Sequence, residues 1–182
     1  QNISTTFEKG KTNLISGQSG SGKTVLLNGL LGLHHPDSGE IIYDGTSNLN
    51  MNESDKTLLR REMGMVFQGS ALFDSMSVLE NVMFPLNMLT NKNEEEIREK
   101  AKSVIERVEL NNAIDKLPSE ISGGMQKRVA IARAIVMNPK YLFCDEPNSG
   151  LDPKTAIVID KLIHEITKEY NITTIILSLI HI

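Results

Sequence analysis

The chain has 182 residues, of which 40% are hydrophobic and 23% charged, enough to bury the core of one α/β domain. Its net charge of −4, from 19 basic and 23 acidic residues, argues against a nucleic-acid partner, and no apolar run approaches the roughly 20 residues of a membrane helix. Cys144 is the one cysteine and has no mate for an internal disulfide, and the opening QNISTTFEKGK has no apolar leader-like stretch. A reducing cytoplasm is therefore the expected setting, with any membrane reached through a partner.

TNLISG (12–17) is a short apolar strand running into glycines. After it, KTVLLNGLLGL carries Val25, Leu26, Leu30 and Leu33 at helical spacing, so strand, loop and helix follow in that order. GEIIYDG (39–45) reads as a strand between turns. Apolar Ile97, Ala101, Val104, Ile105 and Val108 predict an amphipathic helix over 94–110. VAIARAIVM (129–137) predicts a more buried helix, closed by the Asn138-Pro139 turn. YLFCDE (141–146) is an almost continuously apolar strand, as a parallel strand covered on both faces must be. Asp152 and Pro153 suit the cap and first turn of another helix, with Ile159, Leu162, Ile163 and Ile166 as its buried stripe. ITTIIL (172–177) is a last buried strand. This alternation predicts an α/β core over 1–68 and 138–182, interrupted by a helical subdomain over 69–137.

GQSGSGKT (17–24) matches the phosphate-loop pattern G-x-x-x-x-G-K-[ST] in full. Gly17, Gly20 and Gly22 let the backbone turn its N–H groups inward around an anion, and Gln18, Ser19 and Ser21 complete the cradle. The following helix adds its positive end. Lys23 is placed to reach the β- and γ-phosphates of a nucleotide, and the Thr24 hydroxyl to join a Mg²⁺ shell. Farther along, Asp145 and Glu146 end an apolar strand and are delivered to the carboxyl edge of the sheet. There Asp145 suits Mg²⁺ and Glu146 the polarisation of an attacking water. Cys144 reads as a small core hydrophobe.

Ser122-Gly123-Gly124 lies ahead of the helix beginning near Val129 and offers a second set of free N–H groups to an anion, although an isolated SGG is no more than a helix cap. Order decides between these readings. Phosphate loop, VFQGS (66–70), SGG with its helix, the DE strand and SGLD (149–152) together resemble the nucleotide-binding domain of ABC transporters over nearly the whole chain. The resemblance implies a P-loop NTPase (RecA-like) core with an ABC-type helical subdomain, ATP and Mg²⁺ as cofactors, and ATP hydrolysis coupled to transport. It makes Gln68 the Q-loop residue near Mg²⁺ and the attacking water. Ile121 to Met125 becomes the signature motif, Asp145 and Glu146 the Walker B pair, and Asp152 part of the D-loop. It also implies a head-to-tail homodimer, in which Ser122, Gly123 and Gly124 close over the ATP held by the partner's phosphate loop. The expected place is the cytoplasmic face of the inner membrane, bound to a permease.

GMVFQGSALFDSMSVLENVMFPL (64–86) and Met125 further resemble the Mla-type branch, which serves lipid transport with MCE-family partners. By that likeness Ala71 to Pro85 faces the permease. The chain departs from the family in two places. It starts after the strand that carries the adenine-stacking aromatic, and Tyr43 is no substitute. Where a switch histidine is expected, position 179 is Leu and His181 comes two residues late. LSLIHI (177–182) is accordingly read as adapter-encoded and the chain as truncated at both ends, with weak or no hydrolysis of its own. His34, His35 and His164 read as surface residues. The rival readings are a translation-associated ABC-F ATPase, an ABC transporter for another substrate, and a kinase using only the phosphate loop.

Overall fold

The computed structural model describes residues 3–18 and 20–179. Ser19 of the phosphate loop and His181 of the terminal hexapeptide lie outside them. Chain order is β1 (Thr12–Gly17), α1 (Lys23–Leu30), β2 (Ile42–Tyr43), β3 (Thr46–Ser47), α2 (Glu53–Arg61), β4 (Met63–Val66), α3 (Val78–Leu89), α4 (Glu94–Arg107), α5 (Gly123–Ile135), β5 (Tyr141–Asp145), α6 (Pro153–Glu169) and β6 (Thr173–Leu179).

Four strands form one parallel sheet in the order β1-β6-β5-β4. Its central strand β5 shows why the sequence runs apolar there. Leu142 and Cys144 join the core beneath α5 and α6, while Tyr141 and Phe143 join a second core with Leu27 and Leu30 of α1. Alternate side chains point to opposite faces, so a strand covered twice has no polar side. Parallel pairing also brings Gly17, Val66 and Asp145 to the same edge, and the loops that follow them converge there.

On the first face α5 rests directly on β4. A Cβ at Gly64 would collide with the Ala134 carbonyl oxygen, so strand and helix meet backbone to backbone. α3 and α4 then pack on α5, and one continuous core runs from these helices to α6 and the sheet.

Three predicted elements need correction. The strand read over 39–45 is a two-residue ladder, Ile42–Tyr43 against Thr46–Ser47, with Asp44 and Gly45 both at positive φ. An Asp-Gly pair is the usual seed of such a hairpin turn. The helix read over 94–110 opens on a capping box of Asn93 and Glu96, but ends at Arg107 because Glu109 takes φ 59°. The helix read from 129 begins six residues earlier, at Gly123, with Ser122 as its cap. Of LSLIHI, residues 177–179 close β6 in register with 15–17 of β1. Helices α2 and α3 are not among the predicted elements; α3 continues through an internal Pro85.

Candidate nucleotide site

The phosphate loop leaves β1 at Gly17. Gly20 and Gly22 take φ 76° and 93°, a region that L side chains enter only at a cost, and Gly22 then caps α1 with no side-chain acceptor on the first amides. No acidic residue occupies the first turn of α1, so its positive end is not offset. Lys23 Nζ donates to the carbonyl oxygens of Gly17 (2.8 Å) and Gln18 (3.0 Å), which fixes the ammonium inside the curve of the loop. Ser21 N–H closes the turn on Gln18 O at 3.2 Å.

Two predicted Mg²⁺ residues share one depression. Thr24 and Asp145 line a cleft of about 330 Å³ whose other walls include Asn28, Met65 and Phe67. Asp145 is the last residue of β5, and the chain turns sharply after it: Glu146 has φ 46°, with its N–H on Leu177 O at 3.0 Å. Gln68 reaches this turn from the loop after β4. Its Nε2 donates to Glu146 Oε2 at 3.0 Å and to Ser149 Oγ at 3.2 Å. Thus Gln68 and Glu146, distant in sequence, are in direct contact.

Among the described residues, no hydrogen bond joins Ser122, Gly123 or Gly124 to this cluster. Ser122 Oγ accepts from Met125 N–H at 3.3 Å, and the two glycines form the first turn of α5 instead of preceding it. Their near neighbours belong to the 151–155 stretch. A Cβ on Gly123 would meet Leu151 at 3.7 Å, and one on Gly124 would meet Thr155 Cγ2 at 2.7 Å. Thr155 is itself pinned, because its Oγ1 donates to Asp152 Oδ2 at 2.5 Å. Asp152 also caps α6, accepting from the N–H groups of Lys154 and Thr155 at 3.1 Å. These bonds, first of all from Thr155, hold its carboxyl below the usual aspartate range.

Three polar side chains that hold the 68–77 loop carry no mark of that role in the sequence: Asn81 and Lys127 are buried and Arg133 is half-buried. Asn81, fully buried on α3, accepts from Phe73 N–H at 2.9 Å and donates to the carbonyls of Phe73, Met76 and Ser77. Arg133 on α5 donates to Ser70 O at 2.9 Å and Ala71 O at 2.8 Å, holding two residues whose φ is positive, and its guanidinium lies over the Phe73 ring. Lys127 donates to Gln68 O. The available signal was a polar residue on an apolar helix face, but the partners are loop carbonyls that no periodicity reveals. Cys144 is wholly buried, which pushes its thiol pKa up and leaves it a core residue. His34, His35 and His164 are exposed.

A parallel sheet with a G-x-x-x-x-G-K-T loop between its first strand and first helix defines a P-loop NTPase. More particularly, the chain belongs to the ABC transporter family, whose model matches residues 1–149. It is 39% identical over 178 residues to the probable ribonucleotide transport ATP-binding protein mkl of Mycobacterium tuberculosis, covering 98% of this chain and 50% of that one. It is 42% identical over 177 residues to the methionine import ATP-binding protein MetN of Carboxydothermus hydrogenoformans, covering 97% and 52%. The chain thus spans about half the length of these curated relatives. Among solved structures it resembles cbiO1 of Clostridium perfringens, part of the ABC transporter complex cbiONQ, with TM-score 0.91, 35% identity and coverage of 99% of this chain and 71% of that one. It also resembles the dimeric bacterial ABC transporter cassette MJ0796, with TM-score 0.84, 33% identity and coverage of 98% and 78%.

Proposed function

We propose that this chain is the ATP-binding and ATP-hydrolysing part of an ABC transporter subunit. The observation that carries the reading is the convergence of the phosphate loop, Asp145 and the Gln68–Glu146 pair on one sheet edge. Phosphoryl transfer asks a protein mainly for positioning and charge, and each of these groups supplies one of them. The phosphate loop cradles the phosphates through backbone N–H groups, and Lys23 neutralises charge developing on the transferred group. Thr24, Asp145 and the Gln68 amide oxygen are hard oxygen donors that would hold Mg²⁺, which would supply positive charge to offset that of the phosphates. Glu146 orients and polarises the attacking water, and Gln68 holds Glu146 in place.

Ser122, Gly123 and Gly124 serve the γ-phosphate of a second copy. Among the described residues none of their hydrogen bonds goes to the chain's own phosphate loop, and MJ0796 is a dimeric relative. The helical block 69–137 forms the subdomain that carries this second half-site. Through Ala71 to Pro85 it meets a permease at the cytoplasmic face of the inner membrane. The cargo is phospholipid or a related hydrophobic compound, with an MCE-type protein as further partner, a reading supported by the 64–86 stretch and Met125. A second reading, an ABC importer or exporter for another substrate such as a small polar molecule, is favoured by the names of mkl, for ribonucleotide transport, and MetN, for methionine import.

The test is ATP turnover by the full-length protein with its permease. Turnover that Lys23→Met abolishes is expected, and a wild type that binds no nucleotide would refute the proposal. Stimulation by phospholipid, but not by methionine or ribonucleotides, separates the two cargo readings.

A further inference from the structure

Helix α5 carries two jobs on one face of the molecule. Its cap, Ser122, opens the second half-site, and one turn later Lys127 points into the protein, where 5% of its surface remains exposed. The Lys127 ammonium donates to the backbone carbonyl of Gln68. No ion pair within 4.0 Å among the described residues involves it. A buried ammonium without a carboxylate is a poor way to stabilise a helix, since an apolar side chain of the same length would pack there at lower cost. Burial indeed lowers its pKa.

Two helical turns farther, Arg133 takes the carbonyls of Ser70 and Ala71. The backbone from Gln68 to Ala71 is therefore held from α5 by two cations, through a stretch whose last two residues sit at positive φ. The Gln68 side chain points the other way, to Glu146 and Ser149. Residue 68 is thus fixed at its carbonyl by one element and at its amide by another.

We infer that Lys127 is a positioning residue of the ATPase site: by holding the Gln68 carbonyl it sets where the Gln68 amide meets Glu146. This rests on the ATPase reading given above and adds a residue to it. Lys127 touches neither nucleotide nor water in this role. It acts only through Gln68, so its removal shifts the alignment of Glu146 while leaving the phosphate loop unchanged. Misplacement of a water-orienting group by about 1 Å is enough to cost a large factor in rate.

The experiment is steady-state ATPase kinetics on the full-length protein carrying Lys127→Met, Lys127→Gln, Gln68→Ala and the Gln68→Ala/Lys127→Met pair. Lys127→Met keeps the stem and removes the donor. It is expected to lower kcat by about 10- to 100-fold while KM for ATP moves by less than about threefold. Lys127→Gln, which retains a donor, recovers part of the loss. The double variant is no slower than Gln68→Ala alone, because both changes break one link. If Lys127→Met leaves kcat intact, or if the two losses multiply, the inference is overturned while the ATPase reading stands. Should Lys127→Met fail to fold, Lys127→Gln with and without Gln68→Ala gives the same cycle. A wild type without ATPase overturns the inference together with the reading beneath it.

Discussion

Gln68 Nε2 lies 3.0 Å from Glu146 Oε2 and joins residues 78 positions apart across the carboxyl edge of the sheet. Neither residue is placed there by its own helix or strand. Gln68 follows β4 in a loop held by Lys127 and Arg133, and Glu146 follows β5 at a φ of 46°. A carboxylate held by an amide N–H keeps a fixed direction while remaining free to accept a proton from water.

The contact of Gly124 with Thr155 gives the second glycine of SGG a packing role inside its own chain. Gly124→Ala would press a methyl against Thr155 Cγ2, and Thr155 cannot turn away without breaking its 2.5 Å bond to Asp152. A loss of about 1–3 kcal/mol in denaturant unfolding is expected. Adding Thr155→Ser, which removes Cγ2 and keeps the hydroxyl, should recover most of it. Failure of that rescue would mean the glycine is needed for another reason.

Asn81 holds the 73–77 loop through one acceptor and three donor contacts while fully buried. Asn81→Leu preserves volume but strands the Phe73 N–H and the Met76 carbonyl, while the Phe73 and Ser77 carbonyls keep their backbone partners, at a cost of about 2 kcal/mol. In a chain of 182 residues this lowers Tm by about 4–8 °C, readable by calorimetry. An unchanged Tm would show that the loop finds other partners.

Acid should destabilise the protein through its caps. The Ser77 backbone N–H, with the Ser77 hydroxyl, holds the Glu80 carboxyl below its ordinary value of 4.5; Thr155 does the same for Asp152, and Arg128 for Glu109. Each folded pKa is lower than the unfolded one. The stabilisation is therefore complete above the ordinary carboxylate range and is lost as pH falls through the folded values. Tm should be flat from about pH 7 to 5 and decline below about 4.5. Glu80→Gln should soften the decline, whereas a Tm that rises on acidification would contradict it.

Much of the fold is legible because its strongest signals are local. GQSGSGKT states its loop through glycines that take positive φ, and YLFCDE states a doubly covered strand through unbroken apolarity. The hairpin at Asp44-Gly45 was readable from its turn pair and was hidden only because IIY extends it toward a longer strand. The start of α5 was lost for a different reason. Glycines oppose helix on propensity, and here the Ser122 cap and the close approach of Thr155 override that preference. Lys127, Arg133 and Asn81 were not legible at all as site-supporting residues. Their partners are carbonyls of a loop with no periodicity, and the sequence carries no mark of which carbonyl a buried cation will meet.

In the proposed function each chain supplies two incomplete halves of a site, so that ATP closes a dimer. Light scattering of the full-length Glu146→Gln protein, with and without ATP, tests it most directly. The expected result is a doubling of mass on adding ATP that Lys23→Met in the same protein abolishes. A particle that stays monomeric with ATP bound, while the wild type still hydrolyses ATP at every dilution, would contradict it.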